Sequence, residues 1–174
     1  MRFKALPLMV SMIPAALRGP GMKDLEKIRA IIRAKFPGVV QVSTQELASW
    51  IQSRETPLLI DTRKPEEFAV SHLRGAVNLE SPGAIAKYLA ERKPGRAILY
   101  CSVGYRSSRL ADQLQRRGIQ DIANLEGSIF AWANEGRPVF QGEREVRQVH
   151  PYNARWAGLL RPELVPGTSS PAAG

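Results

Sequence analysis

The sequence predicts an α/β domain organised around a parallel sheet. Leu58-Leu59-Ile60 and Ala97-Ile98-Leu99-Tyr100 are short, unbroken apolar runs, as strands covered on both faces require. Segments with apolar residues at helical spacing separate and follow them, which is the alternation of strand–helix–strand units. Each run also leads into a residue able to do chemistry, Asp61 and Cys101, at a strand C-terminus, where open parallel sheets collect their ligands.

The elements follow in order. Residues 22–36 read as a basic amphipathic helix, with Leu25, Ile28, Ile31, Ile32 and Phe36 on one face and Lys and Arg on the other. Pro37-Gly38 ends it. Val39, Val40 and Val42 make a short strand. Ser43-Thr44-Gln45-Glu46 carries the capping-box pattern, in which a hydroxyl and a carboxylate satisfy free backbone amides, and opens a helix burying Leu47, Trp50 and Ile51. After the strand that ends at Asp61, Pro65-Glu66-Glu67-Phe68 suits a first helical turn, because proline there loses no hydrogen bond. Gly75-Ala76-Val77-Asn78 is a brief strand, 82–90 a helix and Lys93-Pro94-Gly95 a turn. The strand at 97–100 then runs into Cys101. A helix over 107–117 turns Leu110, Ala111 and Leu114 inward and closes at Gly118. A strand at 121–125 and a helix at 128–134 complete a domain bounded at 37–142. Residues 143–174 are expected to form an irregular extension, in which His150, Pro151, Tyr152, Asn153 and Trp156 pack on the domain and 167–174 are disordered.

Residues 1–21 are expected to be a flexible N-terminal extension. Arg2 and Lys4 precede an apolar stretch at 5–17 that Pro7 and Pro14 break, and no Ala-x-Ala-like site follows. The stretch is short of the ~20 apolar residues that span a bilayer, so no transmembrane segment is expected. A cytoplasmic location is expected, with export or membrane association through residues 1–21 as the alternative and Met22 as an alternative start.

Composition bounds the rest. The 174 residues are 44% hydrophobic and 24% charged, enough for one packed domain and not the make-up of a disordered chain. The net charge of +9 is uneven, with eight Lys/Arg against two Asp/Glu in residues 1–36 but thirteen against eleven in 37–142. The excess therefore sits in an N-terminal arm without interleaved aromatics, and a nucleic-acid partner is not expected. Cys101 is the only cysteine, which excludes an intramolecular disulfide and a cysteine-based metal cluster and fits a reducing compartment. No metal or cofactor is expected. What remains for Cys101 is a nucleophile or an inert buried thiol.

Its setting favours the nucleophile. A thiol between a buried strand and a helix start meets converging backbone amides and a positive helix end, both of which favour the thiolate. The amides of Ser102, Val103, Gly104, Tyr105, Arg106 and Ser107 are expected to hold anionic groups, and Gly104 to let the loop curl. Arg106 adds a charge and a forked donor suited to a sulfonate or sulfite oxygen, an internal ion pair, for example with Asp61, or both together. Asp61 itself is read as loop support, Arg63 and Glu67 as a local pair outside the site, and His72 as structural.

Asp61-Thr62-Arg63, Glu67-Phe68, His72-Leu73, Gly75-Ala76 and Tyr100-Cys101-Ser102-Val103-Gly104-Tyr105-Arg106-Ser107 resemble, in order, the motifs of the rhodanese family of sulfurtransferases. Leu125-Glu126-Gly127 through Trp132 to Gly136-Arg137-Pro138-Val139 is similar to that family's closing helix and tail, so the resemblance covers about residues 39–142. It implies a five-stranded parallel sheet flanked by helices on both faces, and a persulfide on Cys101 passing sulfur between donor and acceptor. The donor class it implies is thiosulfate or a persulfide. The acceptor is a thiol or cyanide, or an acceptor protein. A non-turnover persulfide relay or interaction module is the alternative. Cysteine phosphatases and arsenate reductases of similar fold place five residues between cysteine and arginine. Here four intervene and Ser107 occupies the later position, which favours sulfur over phosphoryl transfer.

Overall fold

The computed structural model of the protein describes residues 20–167. The expectations for the N-terminal extension, except at its last two residues, and for the disordered end beyond Gly167 lie outside them. The helix read from position 22 begins at Pro20, so α1 spans Pro20–Lys35. Leu25, Ile32 and Phe36 of its stripe are buried, but Ile31, at the stripe's margin, is 61% exposed.

Five strands form one sheet: β1 (Val40–Val42), β2 (Leu58–Asp61), β3 (Val77–Asn78), β4 (Ala97–Tyr100) and β5 (Ile122–Leu125). Their order is β1-β5-β4-β2-β3, and every pairing is parallel. Side chains alternate along each strand, so the apolar runs feed two cores at once. Leu59, Ile98, Tyr100 and Leu125 face one layer with Leu47 of α2 (Thr44–Gln52) and Ile129, Phe130 and Trp132 of α6 (Ser128–Asn134). Ile60, Leu99 and Ile122 face the other, with Ile85 and Leu89 of α4 (Pro82–Arg92) and Leu110, Ala111 and Leu114 of α5 (Tyr105–Gln115). The fold is the expected α/β sheet covered on both faces. The Ser43 capping box forms as read, although Ile51 at that helix's far end is 37% exposed rather than buried.

Two local readings are corrected. The expected Arg63–Glu67 pair does not form. Arg63 is fully buried and turns back on Asp61, with Nη2 donating to Oδ2 at 2.7 Å and to Ser71 O at 2.5 Å, and Nε donating to Oδ1 at 3.0 Å. Asp61 therefore anchors the corner after β2 rather than the Cys101 loop. It touches the neighbouring strand through the Tyr100 phenol, one residue before Cys101. Glu67, in α3 (Pro65–Val70), is left free for a distant partner.

The second correction concerns residues 143–167, which are irregular only in part. β6 (Val139–Gln141) and β7 (Arg144–Val146) form an antiparallel hairpin bridged to His72 through Phe140. The chain then packs back on the domain through buried Val149, Leu160 and Leu164 and a short helix, α7 (Ala154–Ala157). Val149 N donates to Leu164 O at 2.8 Å, and Asn134 at the end of α6 clasps the segment, donating to Leu159 O at 2.7 Å and accepting from Arg161 N at 2.9 Å. His72 is structural, stacked on Phe68 at 4.1 Å and accepting at Nε2 from Gly142 N. No helix among the described residues is long and apolar enough to cross a membrane.

Removing one member of a buried pair strands the other's charge, so Asp61→Ala is expected to lower unfolding free energy by about 3–5 kcal/mol in urea melts. A loss below about 1 kcal/mol would mean that Arg63 finds another partner.

Candidate active site

β4 delivers Cys101 to the C-terminal edge of the sheet, and the chain must reverse within a few residues to start α5. Gly104 makes that possible. Its φ of +106° is a conformation L side chains rarely adopt, and a Cβ there would lie 3.1 Å from Asn124 Nδ2. The conformation starts α5 at Tyr105, two residues earlier than the pattern suggests, so Tyr105 and Arg106 stand in its first turn. The loop's carbonyls are taken by the first turn of α6, where Ile129 N donates to Cys101 O at 3.2 Å and Phe130 N to Ser102 O at 3.1 Å. These are two of the amides a helix cannot satisfy internally. Ser128 adds a third tie, its Oγ accepting from Cys101 N at 3.1 Å. With these groups held, the Gly104 and Ser107 amides are the ones that face the sulfur.

Cys101 is buried, and Gly104 N donates to Sγ at 3.2 Å. Ser107 lies beside the sulfur with its amide and hydroxyl. The hydroxyl donates to Asn124 Oδ1 at 2.6 Å, which makes the amide the firmer donor to sulfur. Burial alone would raise the thiol pKa. The charge of Arg106, joined by the Ser107 and Gly104 donors, outweighs it and brings the thiol below its ordinary value. Such a sulfur is a nucleophile and a competent leaving group.

Arg106 makes an internal ion pair. Its fork closes on Glu67, with Nη1 donating to Oε2 and Nη2 to Oε1, both at 2.8 Å, while Nη2 also donates to Ser102 Oγ at 3.0 Å. The ion-pair reading is right in kind, but its partner is Glu67, not Asp61. The fork is thus engaged and the charge acts on Cys101 from the side. Burial would raise the Glu67 carboxyl, but the Arg106 hydrogen bonds, the Lys64 amide and the nearby charges hold it below the ordinary value. Glu67 was missed because an Arg63–Glu67 spacing of four suggests a local pair. The available signal was the early position of Glu67 in a short helix, where a side chain can face another element.

A cavity of about 150 Å³ opens over the sulfur, lined by Cys101, Ser102, Val103, Tyr105, Arg106, Tyr152 and Trp156. Val103 belongs to the core as well, and Tyr105 packs edge-on to Phe36 at 5.5 Å. Tyr152 and Trp156, read from sequence as packing, form the far wall. A larger hollow of about 270 Å³ lies at the N-terminal ends of β4 and β5, beside Lys93 and Asp121, away from the nucleophile. Among the described residues no group of three His, Cys, Asp or Glu side chains is placed to hold a metal ion.

A family model described as a rhodanese-like domain matches residues 43–135. The probable adenylyltransferase/sulfurtransferase MoeZ of Mycobacterium tuberculosis (strain ATCC 25618 / H37Rv) is 32% identical over 102 residues, 56% of this chain and 25% of that protein. A sulfurtransferase of Allochromatium vinosum is 29% identical over 105 residues, 60% of this chain and 98% of that protein. A tRNA uridine(34) hydroxylase of Bacillus pumilus is 31% identical over 120 residues, 66% of this chain and 36% of that protein. The chain thus spans about a quarter of the first of these relatives and about a third of the last. The crystal structure of a thiosulfate sulfurtransferase from Pseudomonas aeruginosa superposes with a TM-score of 0.57 at 16% identity, over 76% of this chain and 26% of that one, a likeness of fold alone.

Two pH effects follow. Alkylation of Cys101 by iodoacetamide should rise with a midpoint below the ordinary thiol value of 9.0, and Arg106→Gln should move it upward; a wild-type midpoint at or above 9.0 would contradict the electrostatics. Because the folded Glu67 carboxyl titrates below its ordinary 4.5, its stabilisation is present above that pH and disappears as pH falls through the depressed value. The gap in melting temperature between wild type and Glu67→Gln should therefore narrow on acidification below 4.5.

Proposed function

From the premise that the chain belongs to the rhodanese-like domain family, we propose that it is a sulfurtransferase carrying sulfane sulfur as a persulfide on Cys101. The observation that carries the reading is the sulfur's setting, buried at a strand end under the Gly104 amide and beside Arg106. The Cys101 thiolate attacks the outer sulfur of thiosulfate or a persulfide. The donor's S–S bond breaks, sulfite or a thiolate leaves, and Cys101 holds the transferred atom. An acceptor thiolate, or cyanide, then attacks that outer sulfur and Cys101 leaves as the thiolate. The Gly104 and Ser107 amides and the Arg106 charge favour the anion at both steps. They are preorganised, because the loop's carbonyls are tied to α6. The lowered thiol pKa serves attack and departure alike.

With Arg106 closed on Glu67, the loop lacks an open fork for a tetrahedral oxyanion, which supports sulfur over phosphoryl transfer. A cytoplasmic setting suits a single reduced thiol. A second reading, a persulfide relay to a protein acceptor, is favoured by the chain's match to a quarter of a longer adenylyltransferase/sulfurtransferase relative.

Incubation with a sulfane donor should add one sulfur to Cys101 by mass spectrometry, and cyanide should remove it as thiocyanate. Cys101→Ser should reduce thiocyanate release by a factor on the order of 10³ or more. Full turnover in that variant, or no added sulfur on the wild type, would overturn the proposal.

A further inference from the structure

The wall of the Cys101 cavity opposite the loop comes from residues beyond the matched domain. Tyr152 and Trp156 stand edge-to-face with centroids 5.6 Å apart, and the Tyr152 ring covers the Arg106 guanidinium at 4.9 Å. With Tyr105 and Val103 they make the upper cavity apolar. Of its polar side chains, Ser102 and Arg106 are already engaged, since Ser102 Oγ accepts from Arg106 and donates to Glu67 Oε1, and the Arg106 fork grips Glu67. The amide that donates to the sulfur, Gly104 N, lies at the floor.

The wall is held in place. Tyr152 has φ +66°, a backbone state that is costly for a bulky residue, and strain of this kind marks a side chain set by its surroundings. Its amide donates to His150 Nδ1 at 3.0 Å, and Trp156 N donates to the capping Asn153 Oδ1 at 3.1 Å. On either side, buried Val149 and the Asn134 clasp on Leu159 fasten the segment to the domain. An apolar cavity of about 150 Å³ is large enough for one benzene-sized group. A hydrated dianion such as thiosulfate would have to shed water there beside a guanidinium already paired with Glu67.

We propose that Tyr152 and Trp156 are specificity-determining residues that select an organic sulfane donor, one whose sulfur is attached to a small apolar group, over inorganic thiosulfate. This rests on the sulfurtransferase reading above. For an organic persulfide RS–SH, the Cys101 thiolate attacks the terminal sulfur, the donor's S–S bond breaks, the proton stays on the transferred sulfur and RS⁻ departs. The cavity holds R against the two rings. No oxidant or reductant is consumed.

Benzenethiosulfonate and thiosulfate test this as a pair, because both deliver sulfane sulfur from a sulfonyl centre and differ by a phenyl ring in place of an anionic oxygen. Cys101–S⁻ and PhSO₂–S⁻ give Cys101–S–S⁻ and PhSO₂⁻. With cyanide as acceptor, wild-type kcat/KM should favour benzenethiosulfonate. Tyr152→Ala and Trp156→Ala should each lower the ratio of the two kcat/KM values by about tenfold, mainly through KM for the aryl donor, as expected for losing one ring contact. Trp156→Phe should restore most of the preference. Tyr152 is 44% exposed, and a ratio of donors is independent of the fraction of active protein. An unchanged ratio in both alanine variants, with sulfur still loaded on Cys101, would overturn the selectivity and leave the sulfurtransferase reading standing. Failure of the wild type to take sulfur from either donor would overturn both.

Discussion

A carboxylate as buried as Glu67 cannot stand without a partner, since stripping water from an isolated charge costs far more than a fold can recover. Arg106 supplies the partner, and the two-pronged geometry of the pair fixes more than charge. It links α3, on the crossing between β2 and β3, to the first turn of α5. It orients Ser102 and presents a flat guanidinium face to Tyr152. It also holds a positive charge beside Sγ without letting that charge be drawn away to solvent. The reactivity of Cys101 therefore depends on a contact the thiol does not itself make.

The same logic of committed groups governs the loop. A tight reversal between strand and helix leaves backbone amides and carbonyls without ladder partners, and those that are buried must find partners in the protein. The first amides of α6 take the carbonyls of Cys101 and Ser102, and Ser128 takes the amide of Cys101 itself. The loop held this way leaves the Gly104 and Ser107 amides to the sulfur. Gly104 is the point where this arrangement admits no side chain without strain.

What the sequence revealed and what it hid divide along sequence separation. The double-sided strands at β2 and β4, the capping box at Ser43 and the strand-to-helix position of Cys101 are written in adjacent residues, and all appear in the structure. Arg63 and Glu67 misled because a spacing of four is a helix rule, whereas Arg63 lies before the first helical residue of α3 and bends back to Asp61. The Glu67–Arg106 pair spans 39 positions, and the Tyr152 and Trp156 wall lies about fifty beyond the nucleophile. No local pattern encodes such meetings. The extension after residue 142 looked irregular because its anchors, Val149, Leu160 and Leu164, are spaced too widely for any single periodicity.

The way that extension returns to the domain also separates two kinds of evolutionary change. Sulfur activation is written into the sheet, α3, α5 and α6, where buried charges and backbone ties make substitution expensive. The aromatic wall is carried on a surface segment of a few residues, fastened at both ends, in which Trp156 packs against the main core and Tyr152 is exposed. Such a layout lets Trp156 be changed to alter the cavity wall, whereas a change at Tyr152 also reaches the Arg106 guanidinium it stacks on. The segment from His150 to Trp156 is accordingly the natural target for anyone wishing to retune this protein by design.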